Sequence, residues 1–147
     1  MKKAAVWVAV FMSFIFAGQA FCLEDAIIGG VRGGISFGVK TEYHFVQSVA
    51  LRFGLEGTTG ENPLILSAGA HFLNFPLKNG NPSPWFLGAG VVGYSGKSTQ
   101  SGLSLSLIYD PLEKSDQYFG EIGFDFINSP RIMAEIGYYV IPDAVWQ

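Results

Sequence analysis

The sequence predicts an all-β chain folded as an antiparallel, up-and-down transmembrane β-barrel, and three observations predict it. Apolar and polar or small residues alternate with a period of two through seven separate segments, the signature of strands with two unlike faces. The charges within those segments, Lys40, Glu42, Arg52, Glu56, Glu121, Asp125 and Glu135, all fall on the less apolar parity. The 147 residues are 49% hydrophobic and 15% aromatic but only 14% charged, with 19 glycines, against about a quarter charged in an ordinary soluble domain. Yet beyond the N-terminal region no apolar run is long enough for a spanning helix, which needs about 20 residues.

Residues 1–20 read as a secretory signal peptide. Lys2 and Lys3 precede an apolar run from Ala4 to Ala17, and Gly18 and Ala20 supply the small residues of a cleavage site. Cys22 is the only cysteine, so no internal disulfide is available; the bulky Phe21 before it argues against lipidation. Residues 21–147 then form one barrel domain, since no linker-like stretch divides them.

The first clear strand is Ile35–Phe45. After Val46-Gln47-Ser48 the second begins, with Val49, Leu51, Phe53 and Leu55 on one face and Ala50, Arg52, Gly54 and Glu56 on the other. Leu64–Phe72 continues the pattern, and Trp85–Tyr94 carries it more weakly, with neither face polar. Leu103–Tyr109, Tyr118–Phe126 and Ile132–Val140 complete the seven. Ala26–Arg32 either lengthens the strand that begins at Ile35 or forms an eighth before a turn at Gly33-Gly34, and parity favours the eighth, because single-chain bacterial barrels carry an even number of strands. The breakers between segments are Gly57–Pro63, Pro76–Pro84, Gly96–Gln100, Pro111–Asp116 and Asn128-Ser129-Pro130.

Alternation alone does not say which face is inward. A Lys or Arg facing the bilayer midplane costs about 2–4 kcal/mol, so their segregation points them to the axis. Lys40, Glu42, His44, Arg52, Glu56, His71, Glu121, Asp125 and Glu135 are therefore expected to form an interior polar network, both signs offsetting desolvation. Phe37, Val39, Leu51, Phe53, Leu55, Leu66, Leu105, Ile122, Phe124 and Ile136 are expected to face lipid. Tyr43, Phe45, Trp85, Tyr109, Tyr118, Phe126 and Tyr138 lie at or near strand ends, where aromatic girdles sit. The competing reading is a soluble, periplasmic, lipocalin-like barrel that turns the apolar face inward around an apolar ligand. Against it stand a polar parity rich in Gly, Ala and Ser but poor in Lys, and more bulky apolar surface than so short a chain easily buries.

Three stretches resemble the small outer-membrane β-barrel family of the opacity-protein and outer-membrane-protein-A transmembrane type. They are Gly38-Val39-Lys40-Thr41-Glu42-Tyr43-His44-Phe45 with Val49-Ala50-Leu51-Arg52, Trp85-Phe86-Leu87-Gly88-Ala89-Gly90-Val91, and Gly123-Phe124-Asp125-Phe126 leading to Ala134-Glu135-Ile136-Gly137-Tyr138-Tyr139. The resemblance implies residence in the outer membrane of a Gram-negative-type bacterium, with membrane lipid and the barrel assembly machinery as partners. The chain departs from the family at its end. Ile141 is followed by Pro142-Asp143-Ala144-Val145-Trp146-Gln147 rather than closing on an aromatic-terminated strand, which puts closure in question.

No residue pattern carries a catalytic signature, so a non-enzymatic envelope protein with a structural or surface-interaction role is expected, with no cofactor. His44 and His71 are the only histidines; with no cysteine or close second ligand they lack metal-site spacing and read as interior hydrogen-bonding groups. A lipid A-modifying hydrolase is the enzymatic alternative, but His71-Phe72-Leu73-Asn74 lacks the serine that would give it a nucleophile. Glu121 with Asp125, or Glu42 with Glu56, could serve acid-base work, though interior ion pairing explains them more simply. Gly29-Gly30-Val31-Arg32-Gly33-Gly34 lacks the lysine and hydroxyl residue of a phosphate loop and reads as bend and turn glycine. A net charge of −3 gives no footprint for nucleic acid.

Overall fold

The computed structural model describes residues 23–46, 49–72, 83–111 and 117–141. The expected leader at 1–20, Cys22 and the tail from Pro142 lie outside the described residues. Eight strands are described: β1 (Leu23–Arg32), β2 (Ile35–Val46), β3 (Val49–Thr58), β4 (Leu64–Phe72), β5 (Trp85–Ser95), β6 (Gln100–Tyr109), β7 (Tyr118–Phe126) and β8 (Pro130–Ile141). They form a closed antiparallel barrel in chain order.

Closure, in question from the chain's ending, is made by β1. It pairs with β2 through Ile27↔Val39 and with β8 through Ile28↔Gly137, with a register shift at Asp25/Ala26. No strand beyond Ile141 is therefore needed. β4 and β7 have the predicted bounds, while β3, β6 and β8 extend into residues read as breakers. Thr58 pairs with Ser36, Gln100 with Tyr94 and Pro130 with Phe126. Pro130 is tolerated as the first residue of β8.

The barrel has two unlike ends. One carries the start of β1 and the end of β8 (the terminal end); the other carries the connections 33–34, 59–63, 96–99 and 127–129 (the turn end). Gly33 has φ +66° and Gly34 +152°, values that L side chains rarely adopt. A Cβ on Gly34 would also collide with the Gly60 amide and the Thr58 and Thr59 hydroxyls. The neighbouring turns are tied together: Thr59 N donates to Ile35 O at 3.0 Å, and Ser98 N to Asn62 Oδ1 at 3.1 Å.

Side chains divide by parity. Every strand carries large apolar residues that are 40–70% exposed on the outside, among them Ile27, Phe37, Phe53, Leu66, Val91, Leu105, Ile122, Phe124 and Ile136. Val39, Leu51 and Leu55 share that parity and are partly buried. Asp25 is the one charged side chain on this outer parity among the described strand residues, and it accepts from Thr41 Oγ1 at 2.6 Å. Tyr43, Phe45, Trp85, Tyr109, Tyr118 and Tyr138 gather near the terminal end, in pairs such as Trp85–Tyr109 at 4.9 Å and Tyr118–Tyr138 at 5.0 Å. Phe126 lies at the turn end.

The interior is layered rather than uniformly polar. Ile65, Val92 and Tyr94 form an apolar cluster toward the turn end, and Ala26, Ile28, Phe86, Ile108, Phe119 and Tyr139 form another toward the terminal end. Eight strands enclose a space just wide enough for side chains, and the charged groups pack beside these clusters: Glu56 pairs with Ile65, Lys40 with Ala26 and Glu121 with Ile108.

Candidate functional site

The charged side chains come mainly from β1, β2, β3, β7 and β8. They point across the axis at a wall of small residues, Gly54, Ser67, Gly69, Gly88, Gly90, Ser104 and Ser106. Between them remains a cavity of about 40 Å³ lined by Arg32, Lys40, Arg52, Gly69, Gly90 and Glu121 among others, room for a few waters.

Each buried cation, Arg32, Lys40 and Arg52, is clamped by two carboxylates. Arg32 Nη1 donates to Glu56 Oε1 at 2.6 Å, while its Nε and Nη2 grip Asp125 at 2.8 and 3.0 Å, a bidentate charge-assisted pair. Asp125 also accepts from the Tyr94 hydroxyl at 2.5 Å. Lys40 Nζ donates to Glu121 Oε2 and to Glu135 Oε2, each at 2.6 Å. Arg52 Nη1 donates to Glu121 Oε2 at 3.0 Å, and Arg52 Nε lies 2.6 Å from Glu42 Oε1 without hydrogen-bond alignment.

The register explains why these clamps are required. Glu121 sits directly opposite Glu135, and Glu24 directly opposite Glu42. Like charges in that position repel, so a cation must enter from a third strand. Lys40 does so for the first pair. Two ionic chains result: Glu56–Arg32–Asp125 toward the turn end, and Glu135–Lys40–Glu121–Arg52–Glu42 running toward the terminal end.

All nine residues expected inside lie on the inner parity. Eight are buried, and His44 is partly open near the terminal end. His44 Nε2 lies 3.1 Å from Glu24 Oε2 and 3.7 Å from Glu42 Oε2; His71 Nδ1 lies 3.5 Å from Glu42 Oε2. His71 is 1% exposed, and neither of its ring nitrogens has a hydrogen-bond partner among the described residues. The expectation that both histidines simply hydrogen-bond within the interior is thus corrected for His71.

Sequence reading also missed several members. Arg32, read as the end of the eighth strand beside the turn glycines but not as an interior charge, is 2% exposed and anchors the first chain; its parity with Ala26 and Ile28 was the available signal. Tyr94 lay on a strand with no polar face. Tyr139 shares the parity of Glu135, and its hydroxyl donates to Asp110 Oδ2 at 3.0 Å. Asp110 follows β6 at the terminal end. Burial there, reinforced by the charge of Glu42, pushes its carboxyl up to about 6.

No family model matches this sequence, and no curated protein or solved structure matches it.

Proposed function

We propose that this chain is a non-enzymatic, integral β-barrel protein of a bacterial outer membrane, with a structural role in the envelope. One observation carries the reading: bulky apolar side chains face outward on all eight strands, while the strand charges except Asp25 lie on the inner parity. In water that surface would far exceed the few hundred Å² of contiguous apolar patch that soluble monomers tolerate. A strand of 10 residues such as β3, rising about 3.3 Å per residue and tilted by about 40°, spans about 25 Å, the height of the apolar band in such barrels. The Tyr and Trp side chains at the terminal end suit a headgroup interface.

The filled interior argues against transport. The interior cavity of about 40 Å³ falls well short of the roughly 300 Å³ at which small-molecule sites begin, and the larger space of about 390 Å³ is bounded by the exposed side chains of Trp85, Tyr109, Ile122 and Ile136, which also disfavours a lipocalin-like carrier. Acyl lipid hydrolysis would need a base in reach of lipid, whereas His71 is enclosed by the wall. The turn-end connections are short and tied to one another, leaving little at that end for loop-borne recognition, and on that ground a structural role is favoured over a surface-interaction one.

Membrane fractionation tests the reading. The chain should stay with the membrane through alkaline carbonate, require detergent for extraction, and migrate differently on gels before and after boiling. A chain that stays in buffer without detergent would overturn it.

A further inference from the structure

The acid end of the longer ionic chain is also where both histidines of the protein meet. His44 on β2 pairs with Ala50 on β3, and Ala50 pairs with His71 on β4. The small alanine between them lets two residues from strands that are not neighbours bring their rings to 5.5 Å. Glu24 and Glu42 stand opposite each other one step away on β1 and β2.

The spacing of the donor atoms is the informative quantity. Neutral hydrogen bonds of this type run about 2.7–3.2 Å, but two of the three separations, 3.5 Å for His71–Glu42 and 3.7 Å for His44–Glu42, are longer. Four donors held tetrahedrally at about 2.0–2.2 Å from one ion stand about 3.3–3.6 Å apart. The separations of 3.1, 3.5 and 3.7 Å straddle that edge length for three of the six edges; the donor atoms of Glu24, Glu42 and His44 all lie within 4.8 Å of one another, while His71 stands outside that group and joins it through Glu42. His71 supplies an independent pointer, since an imidazole 1% exposed with neither nitrogen hydrogen-bonded is costly to keep without a partner. Its Nδ1 faces the carboxylate oxygen that the cluster shares.

We propose that Glu24, Glu42, His44 and His71 form a binding site for one divalent transition-metal cation of the zinc type at the terminal end of the barrel. Mixed imidazole and carboxylate donors favour such an ion over Mg²⁺ or Ca²⁺. Arg52 holds the other oxygen of Glu42 at 2.6 Å, fixing that ligand from behind as outer-shell partners do. The Glu24 and His44 side chains remain 15% and 16% exposed, which gives the ion a way in from that end.

The test uses the untagged full chain refolded in detergent, with Cys22→Ser so that the thiol cannot serve as a ligand. Titration with Zn²⁺ should show one ion per chain, undisturbed by a roughly thousand-fold excess of Mg²⁺, and Co²⁺ should give the visible absorption of a tetrahedral site. Loss of outer-shell partners alone weakens binding about 10–100-fold, so His71→Gln and His44→Gln should each cost at least about 100-fold. Should His71→Gln fail to fold, His44→Gln and Glu24→Gln at the open rim carry the same test. Absence of Zn²⁺ binding to the folded chain, or unchanged affinity in the histidine variants that fold, would overturn the proposal.

Discussion

Replacing Lys40 with methionine should be among the most damaging single changes in the barrel wall. Its ammonium sits 2.6 Å from carboxylate oxygens of both Glu121 and Glu135, which face each other across β7 and β8. At an effective dielectric of about 20, each contact is a gross attraction of about 6 kcal/mol. Most of that is offset by desolvation, so the intact trio contributes little net. Removing only the cation leaves two buried acids opposed, and breaking a buried pair in this way costs about 3–5 kcal/mol. With an urea dependence of about 2 kcal/mol per molar, the unfolding midpoint should fall by about 2 M. Trp85 fluorescence and gel mobility of the refolded protein can follow it. The double variant Lys40→Met, Glu135→Gln should regain most of the loss, because it removes the repulsion as well as the attraction while Glu121 keeps Arg52. A single variant within about 1 kcal/mol of wild type, or a double variant no better than the single, would refute the clamp argument.

Phe53→Lys places an ammonium on the outer face at mid-strand, and by the depth-dependent cost of lipid-facing lysines it should destabilise the inserted barrel by about 2–4 kcal/mol, read as a lower folded fraction in vesicles; an unchanged fraction would count against a lipid-facing Phe53. Gly137→Ala drives a methyl into the Phe119 ring, which lies over that glycine, and overpacking of this kind should cost about 1–3 kcal/mol. Adding Phe119→Leu should recover part of it, and no recovery would locate the strain elsewhere. Asp110, with its carboxyl raised to about 6 from the ordinary 3.8, binds its proton more tightly folded than unfolded. Its contribution to stability is thus full below about pH 4 and is lost as pH rises through about 6. Asp110→Asn should flatten stability across that window, and a slope of unchanged size would show that other groups set it.

The strands and the two faces were legible because a period of two survives any barrel size. Alternation at Leu64–Phe72 and Tyr118–Phe126 located β4 and β7 to the residue. Strand ends were less legible where a pairing partner, rather than propensity, decides: Thr58 stays in β3 because Ser36 is there to meet it. The site was half legible. Parity sorts Glu121 and Glu135 inward, but that they face each other, and that Lys40 reaches them from β2, on the other side of β1, depends on register and on barrel closure. The same holds for the histidines. Residues 44 and 71 offer no ligand spacing along the chain, and only two successive pairings across Ala50 bring them together.

Register also accounts for the charge imbalance of the interior. Arg32, Lys40 and Arg52 are buried with five carboxylates, Glu42, Glu56, Glu121, Asp125 and Glu135, a surplus of two acids that desolvation should penalise heavily. The surplus follows from connectivity: an alternating ionic chain that begins and ends on an acid has one more acid than base, and there are two such chains. Acid ends of this kind gain from caps that are not side-chain cations. Asp125 has one in the Tyr94 hydroxyl at 2.5 Å, on a strand that sequence reading left without a polar face. Glu42 instead meets Glu24, a second acid, and two imidazoles whose nearest atoms stand 3.5 and 3.7 Å from its outer oxygen. A single dication placed among all four would offset the two carboxylates. If Zn²⁺ caps the chain, its removal should destabilise the wild type but leave Glu42→Gln, which has no acid end to cap, nearly unchanged; equal destabilisation of both would disconnect the metal from the charge balance.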